Sequence, residues 1–168
     1  NIEMQDTLFF GNEATEPEAF TGFAPRFNSL SAPNAENIIT AGGVGSDNNS
    51  IWLICWGPNT VHGIFPKGST AGLHMEDKGQ VTSENIDGSN GRAEIYRTHY
   101  RWDMGLVVRD WRYVVRIANI DKSLLTADVS TGANLSNLMF QAIERIPNLG
   151  LGRAAFYMSR NMRSMVRQ

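Results

Sequence analysis

The chain has a single cysteine, Cys55, among 168 residues. No internal disulfide can form, so the fold stands on packing alone, as in proteins made in a reducing cytoplasm. No apolar run approaches the roughly 18 residues of a membrane-spanning helix; IWLICW, residues 51–56, is among the longest. The basic, apolar and cleavage regions of a secretory signal are missing from the start. Charged residues make up only 19% against 42% hydrophobic, which excludes a largely disordered chain. Basic residues are scarce in the first half. Residues 1–91 hold three (Arg26, Lys67, Lys78) against eleven acidic ones, a balance of −8, whereas residues 92–168 hold twelve against six, a balance of +6. Opposite charge of this kind suits two halves folding onto each other, or complementarity between copies of the chain.

Chemistry-bearing patterns are equally sparse. The three histidines, His62, His74 and His99, have neither helical nor knuckle spacing, so no zinc site is indicated. GGVGSDNN is glycine-rich but lacks the following Lys-Ser or Lys-Thr of a phosphate loop, and G-x-G-x-x-G is absent. Cys55 sits in an apolar stretch, which raises a thiol pKa instead of preparing a nucleophile. Arg97 and Arg101 lie beside Tyr96, Tyr100 and Trp102, a mixture that suggests a nucleic-acid platform, yet strand alternation puts the arginines and the aromatics on opposite faces. No catalytic constellation and no cofactor site emerges, and the chain does not read as an enzyme.

What is present is an α+β pattern in a length suited to one domain. Ile2, Gln5 and Phe9 share a helical face before Gly11-Asn12, as in the closing turns of a helix. Residues 12–50 are rich in turn residues and read as an irregular connection. IWLICW reads as a strand covered on both faces, with TVHGIF as its hairpin partner. Period two recurs over residues 93–102 and again over 111–117, where Trp111, Tyr113, Val115 and Ile117 oppose Arg112 and Arg116. Straight extension of residues 93–118 would overshoot a globule of this size, so a break near Met104-Gly105 or Arg109-Asp110, or a projecting ribbon, is expected. Leu135, Leu138, Met139, Ala142, Ile143 and Ile146 fall at steps of three and four before Pro147, an amphipathic helix with its stop. AAFYM follows as a short strand, and Ser159 is placed to cap a last helix.

Four stretches, FFGNEATEPEAFTGFAPRFNSLS, AGGVGSDNNSIWLICWGPNTVHGIFPKGSTAGL, YRTHYRWDMGLVVRDWRYVVRIANID and QAIERIPNLGLGRAAFYMSRNMR, together resemble the major capsid proteins of short-tailed double-stranded DNA phages with the Hong Kong 97-type capsid fold. The resemblance runs over most of residues 7–166. It implies a shell subunit, many copies of which close an icosahedral head around packaged DNA. It also implies that an N-terminal arm, an extended hairpin loop and most of a long spine helix precede residue 1. Residues 1–11 would then end the spine helix and 12–50 form the irregular connection. Residues 51–120 would hold the long antiparallel strands of the peripheral domain, and 121–168 the helix-strand-helix start of the axial domain, in a rearranged topology. That arrangement requires the strands at 51–56 and 111–118 to share a sheet.

The implied partners are other copies in hexamers and pentamers, with scaffold, portal or cement proteins. Packaged DNA is contacted non-specifically at most, and no membrane is involved. The location is the virion, after synthesis in the bacterial host cytoplasm. Arg97, Arg101, Arg112, Arg116 and Lys67 are the expected subunit-interface residues. Some members of the wider fold cross-link a lysine to a neighbour's asparagine, but that lysine lies in the extended loop, and the role is not carried to Lys67. The alternative function is a β-rich carbohydrate-binding or adhesion module of a phage particle, which would expose Trp52, Trp56, Trp102 and Trp111 as stacking platforms.

Overall fold

Strand β2 (Asn48–Trp56) is apolar from Ile51 onward because there both its faces and both its edges are covered. One edge pairs antiparallel with β7 (Val114–Asp121) and the other with β8 (Arg153–Tyr157). Beyond β7 lies β1 (Ile38–Thr40), in parallel register with Ile39 opposite Ile117. β3 (Val61–Ile64) and β6 (Gly105–Val108) complete the order β1-β7-β2-β3-β6, with β8 also on β2. The computed structural model describes residues 2–84, 88, 91–127 and 132–166. They fall into two compact units: Asn1–His62 with Leu106–Gln168, and Gly63–Gly105.

In the larger unit, alternation along β2 sends side chains into two cores. Ile51, Leu53 and Cys55 join Val115, Ile117 and Ile120 of β7 under a helical layer. That layer is α4 (Leu135–Glu144), α5 (Arg160–Met165) and α3 (Lys122–Ala127), contributing Leu125, Leu135, Ala142 and Met162. The apolar stripe expected on α4 is the stripe that packs. Its start is fixed by Asn134, whose side chain accepts from the Asn137 backbone N–H at 3.0 Å, and Ser159 caps α5 through Met162 N–H as expected. Asn1, Arg167 and Gln168 lie outside the described residues.

The opposite face of β2 presents Trp52 and Ile54 to an aromatic layer built from α1 (Ile2–Phe10) and α2 (Phe23–Arg26). The Trp52 ring lies 6.0 Å from Phe9 and from Phe23, and 6.3 Å from Phe27, in tilted and edge geometries, as aromatic quadrupoles prefer. Residues 12–50 are therefore not irregular throughout. They contain α2, a 3-10 turn at Ala35–Asn37 and β1, and Phe23 and Phe27 are fully buried. The buried Asn37 amide ties this segment to the sheet by donating to the carbonyls of Trp111 and Val114, at 3.2 and 3.0 Å.

Two strand expectations are corrected. β3 is not a hairpin arm of β2: the two share one parallel bridge, Trp56 with Val61. Both long edges of β2 are already taken, and the intervening turn is clamped by Thr60, whose hydroxyl donates to Cys55 O at 2.7 Å. A side chain at Gly57 in this turn would meet Leu151 O at 2.7 Å. Trp111–Tyr113 is a 3-10 turn, not strand. Asp110 imposes it, accepting from Arg112 N–H at 3.0 Å and from the Arg112 guanidinium at 2.7 Å. The long segment breaks at both places where a break was expected, and residues 48–54 of β2 pair directly with residues 114–121 of β7.

The smaller unit is a two-stranded ribbon, β4 (His74–Glu84) with β5 (Arg92–Arg101). Among its described residues none is buried. A bulge sets Lys78 and Gly79 opposite the single residue Arg97, between the pairs Asp77–Thr98 and Gln80–Tyr96. Gly79 takes a left-handed φ of 66°, and its N–H donates to Asp77 Oδ1 at 2.9 Å.

Candidate functional site

The residues that first suggest chemistry are structural. Cys55 is fully buried, and burial pushes its thiol pKa up, so it is not a poised thiolate. Among the described residues no three His, Cys, Asp or Glu side chains are grouped to hold a metal. His74 is engaged with the Thr70 carbonyl at 2.9 Å. None of the four tryptophans is exposed: Trp52 is buried, and Trp56 donates its indole N–H to Tyr157 Oη at 2.8 Å. Trp56, Trp102 and Trp111 are partly buried, so none of the four stands fully open as a stacking platform.

The cationic residues separate into three kinds. Arg116 faces inward, correcting its placement on a solvent or subunit-facing side. It stands opposite Trp52 in the β2–β7 register, with its guanidinium carbon 5.1 Å from that ring. It donates to Phe27 O at 2.7 Å and to Ser50 Oγ at 3.3 and 3.2 Å. Desolvation lowers its pKa. This arginine joins α2 to the sheet within one subunit. Arg112 is exposed but held by Asp110; the hydrogen bonds from Arg112 hold the Asp110 carboxyl below its ordinary pKa. Arg101 is exposed and pairs with Asp103 at 3.2 Å.

Arg97 and Lys67 are the open ones. Lys67 is exposed in the turn closed by Ser69 N–H on Pro66 O. Arg97 is exposed at the bulge of the ribbon. The register puts it on one face with His99, Arg101 and Ile95, across from Glu76 and Val81. The other face carries Met75, Tyr96 and Tyr100, exposed at 67%, 86% and 59%. An isolated two-stranded ribbon is marginal in water, and exposed apolar side chains in such an element mark a surface built to be covered.

Sequence reasoning placed β5 and its two faces but missed β4. The signal was the stretch HMEDKGQVTSE, whose alternation changes phase at Lys78-Gly79, so that no single period-two pattern runs through it. It also left unremarked the acidic surface of α1 and the following turn. Glu3, Asp6, Glu13, Glu16 and Glu18 are all exposed, and none joins an ion pair among the described residues.

The larger unit carries open carboxylates and the smaller one open cations and an uncovered ribbon, and among the described residues no metal-holding group of side chains is found; each surface is suited to binding other protein. A family model described as Major capsid protein GP7 matches residues 1–168. The chain belongs to this capsid protein family. It is a structural subunit of a bacteriophage capsid, it works by assembling with further capsid subunits, and its place is the virion. The family is structural in kind and is not known as an enzyme family. A search of curated proteins finds no match. Among the described residues no helix is long and apolar enough to cross a membrane.

Proposed function

We propose that this capsid subunit self-assembles, as hexamers and pentamers, into an icosahedral phage head of the Hong Kong 97-type fold that encloses double-stranded DNA. The observation that carries the assembly reading is the β4–β5 ribbon, a long element without a buried residue in a chain of a capsid family. Residues 1–11 close the spine helix, and 12–50 connect it to the strands. Residues 51–120 supply the peripheral strands, and 121–168 begin the axial domain. The order α4, β8, α5 supports the helix-strand-helix assignment, and the direct pairing of β2 with both β7 and β8 supports a rearranged topology in which these parts share one sheet. Arg97, Arg101, Arg112 and Lys67, all exposed, are the interface cations on this reading. Scaffold, portal or cement proteins assist, DNA is contacted non-specifically at most, and synthesis takes place in the host cytoplasm.

Electron microscopy of the full-length product tests the proposal. Closed particles of uniform size are expected. A folded protein that stays monomeric at high concentration, alone and with its co-expressed phage proteins, would overturn it.

A further inference from the structure

We infer that the Arg97 face of the ribbon docks onto the acidic stretch Glu3–Glu18 of a second copy of the chain. This rests on the shell reading and names the contact. The arginines near β7 are already engaged within their own subunit. Arg116 is committed to Phe27 and Ser50, and Arg112 to Asp110. Arg97 enters no ion pair among the described residues, and His99 and Arg101 flank it on the same face. The carboxylate across from them, Glu76, is held by Lys78 at 2.6 Å, and Arg101 is held by Asp103 at 3.2 Å, so Arg97 is the face's open cation and leaves it with an excess of positive charge. Toward the turn the same face becomes apolar at Val81 and Ile95, which are paired and half-buried.

The stretch Glu3–Glu18 has the complementary pair of properties. Its five exposed carboxylates lack cationic partners among the described residues, and Phe10 is 64% exposed among them. Cations running into an apolar patch therefore meet carboxylates beside an apolar side chain, a match of charge and of uncovered surface. A nucleic-acid occupant is disfavoured because Tyr96 and Tyr100 lie on the face opposite Arg97, leaving no aromatic platform beside the cations.

The test uses full-length protein carrying the photo-crosslinker p-benzoylphenylalanine at position 99, assembled from a mixture of isotopically heavy and light copies. Crosslinked peptides joining heavy to light chains, with the acceptor within residues 2–26, are expected. Arg97→Glu should lower particle yield by about tenfold or more, and Glu13→Arg with Glu16→Arg and Glu18→Arg in the same chain should restore much of it, as a charge swap across an interface does. Closed particles whose crosslinks fall elsewhere on the chain, within one copy, on DNA or on a different protein would overturn this contact while leaving the shell reading intact. Wild-type protein that folds but forms no particles would overturn the shell reading and this contact with it.

Discussion

The body and the ribbon of this chain solve opposite problems with similar residue types. In the body the side chains of Ile51–Trp56 in β2 alternate between one core and the other, so this apolar run is accounted for within one copy. In the ribbon Met75, Tyr96 and Tyr100 are large side chains of the kind that fill the core, yet they stand in solvent. Hydrophobic burial is the main favourable term in folding, and the ribbon gains almost none of it in a single copy. The body is therefore specified by the chain itself, whereas the ribbon is specified by what it meets.

That contrast can be broken most directly by removing one side of it. In the full-length protein, replacing residues 66–103 by a short Gly-Ser turn should abolish closed particles in electron micrographs. Circular dichroism should still report a folded body with a cooperative thermal transition. Loss of that transition would mean that the body depends on the ribbon after all.

Paired substitutions sharpen the same point on a smaller scale. Leu53→Ala, within the helical-side core, should cost about 2–5 kcal/mol in chemical denaturation. Tyr96→Ser on the ribbon should stay within about 0.5 kcal/mol for the unassembled subunit. Equal costs at the two sites would erase the distinction. Among arginines, Arg116→Ala should destabilise by about 1–3 kcal/mol, because it leaves the carbonyl of Phe27 and the hydroxyl of Ser50 without their donor. Arg97→Ala should leave subunit stability unchanged within error in the same assay.

The smallest effect is a pH dependence. Bonding from Arg112 lowers the Asp110 pKa in the folded state, so its contribution to stability is fully present above the ordinary carboxylate pKa of about 3.9 and is lost as pH falls through the lowered folded value. Asp110→Asn should flatten the acid limb of a stability-versus-pH curve below about pH 4 and leave the neutral region nearly level. An unaltered acid limb would remove Asp110 from the account.

How much of this was legible beforehand follows from where the determinants lie. The covered strand Ile51–Trp56 and the α4 stripe were readable because their burial comes from local periodicity, and the Ser159 cap because it is a local hydrogen bond. The absence of a β2–β3 hairpin was not readable, since it depends on β8 reaching β2 from about a hundred residues away. Residues 23–27 gave no periodic signal in so short a helix, and only the sheet beneath makes Phe23 and Phe27 core. On the ribbon, alternation exposed the two faces of β5, but the bulge concealed β4. Arg116 is bonded within its own subunit for a tertiary reason: a charged residue alternating outward on a strand can still be roofed by another element, here the end of α2.

The surroundings of Trp52 have an optical consequence. Its indole is dry, ringed by Phe9, Phe23 and Phe27 and faced by the Arg116 cation, so its emission belongs to a non-aqueous setting that exists only while α1 and α2 lie on the sheet. Lifting either helix would admit water to the ring and shift that emission to longer wavelength. The subunit thus carries its own spectroscopic gauge of whether the helices on the aromatic side are seated, readable without any label.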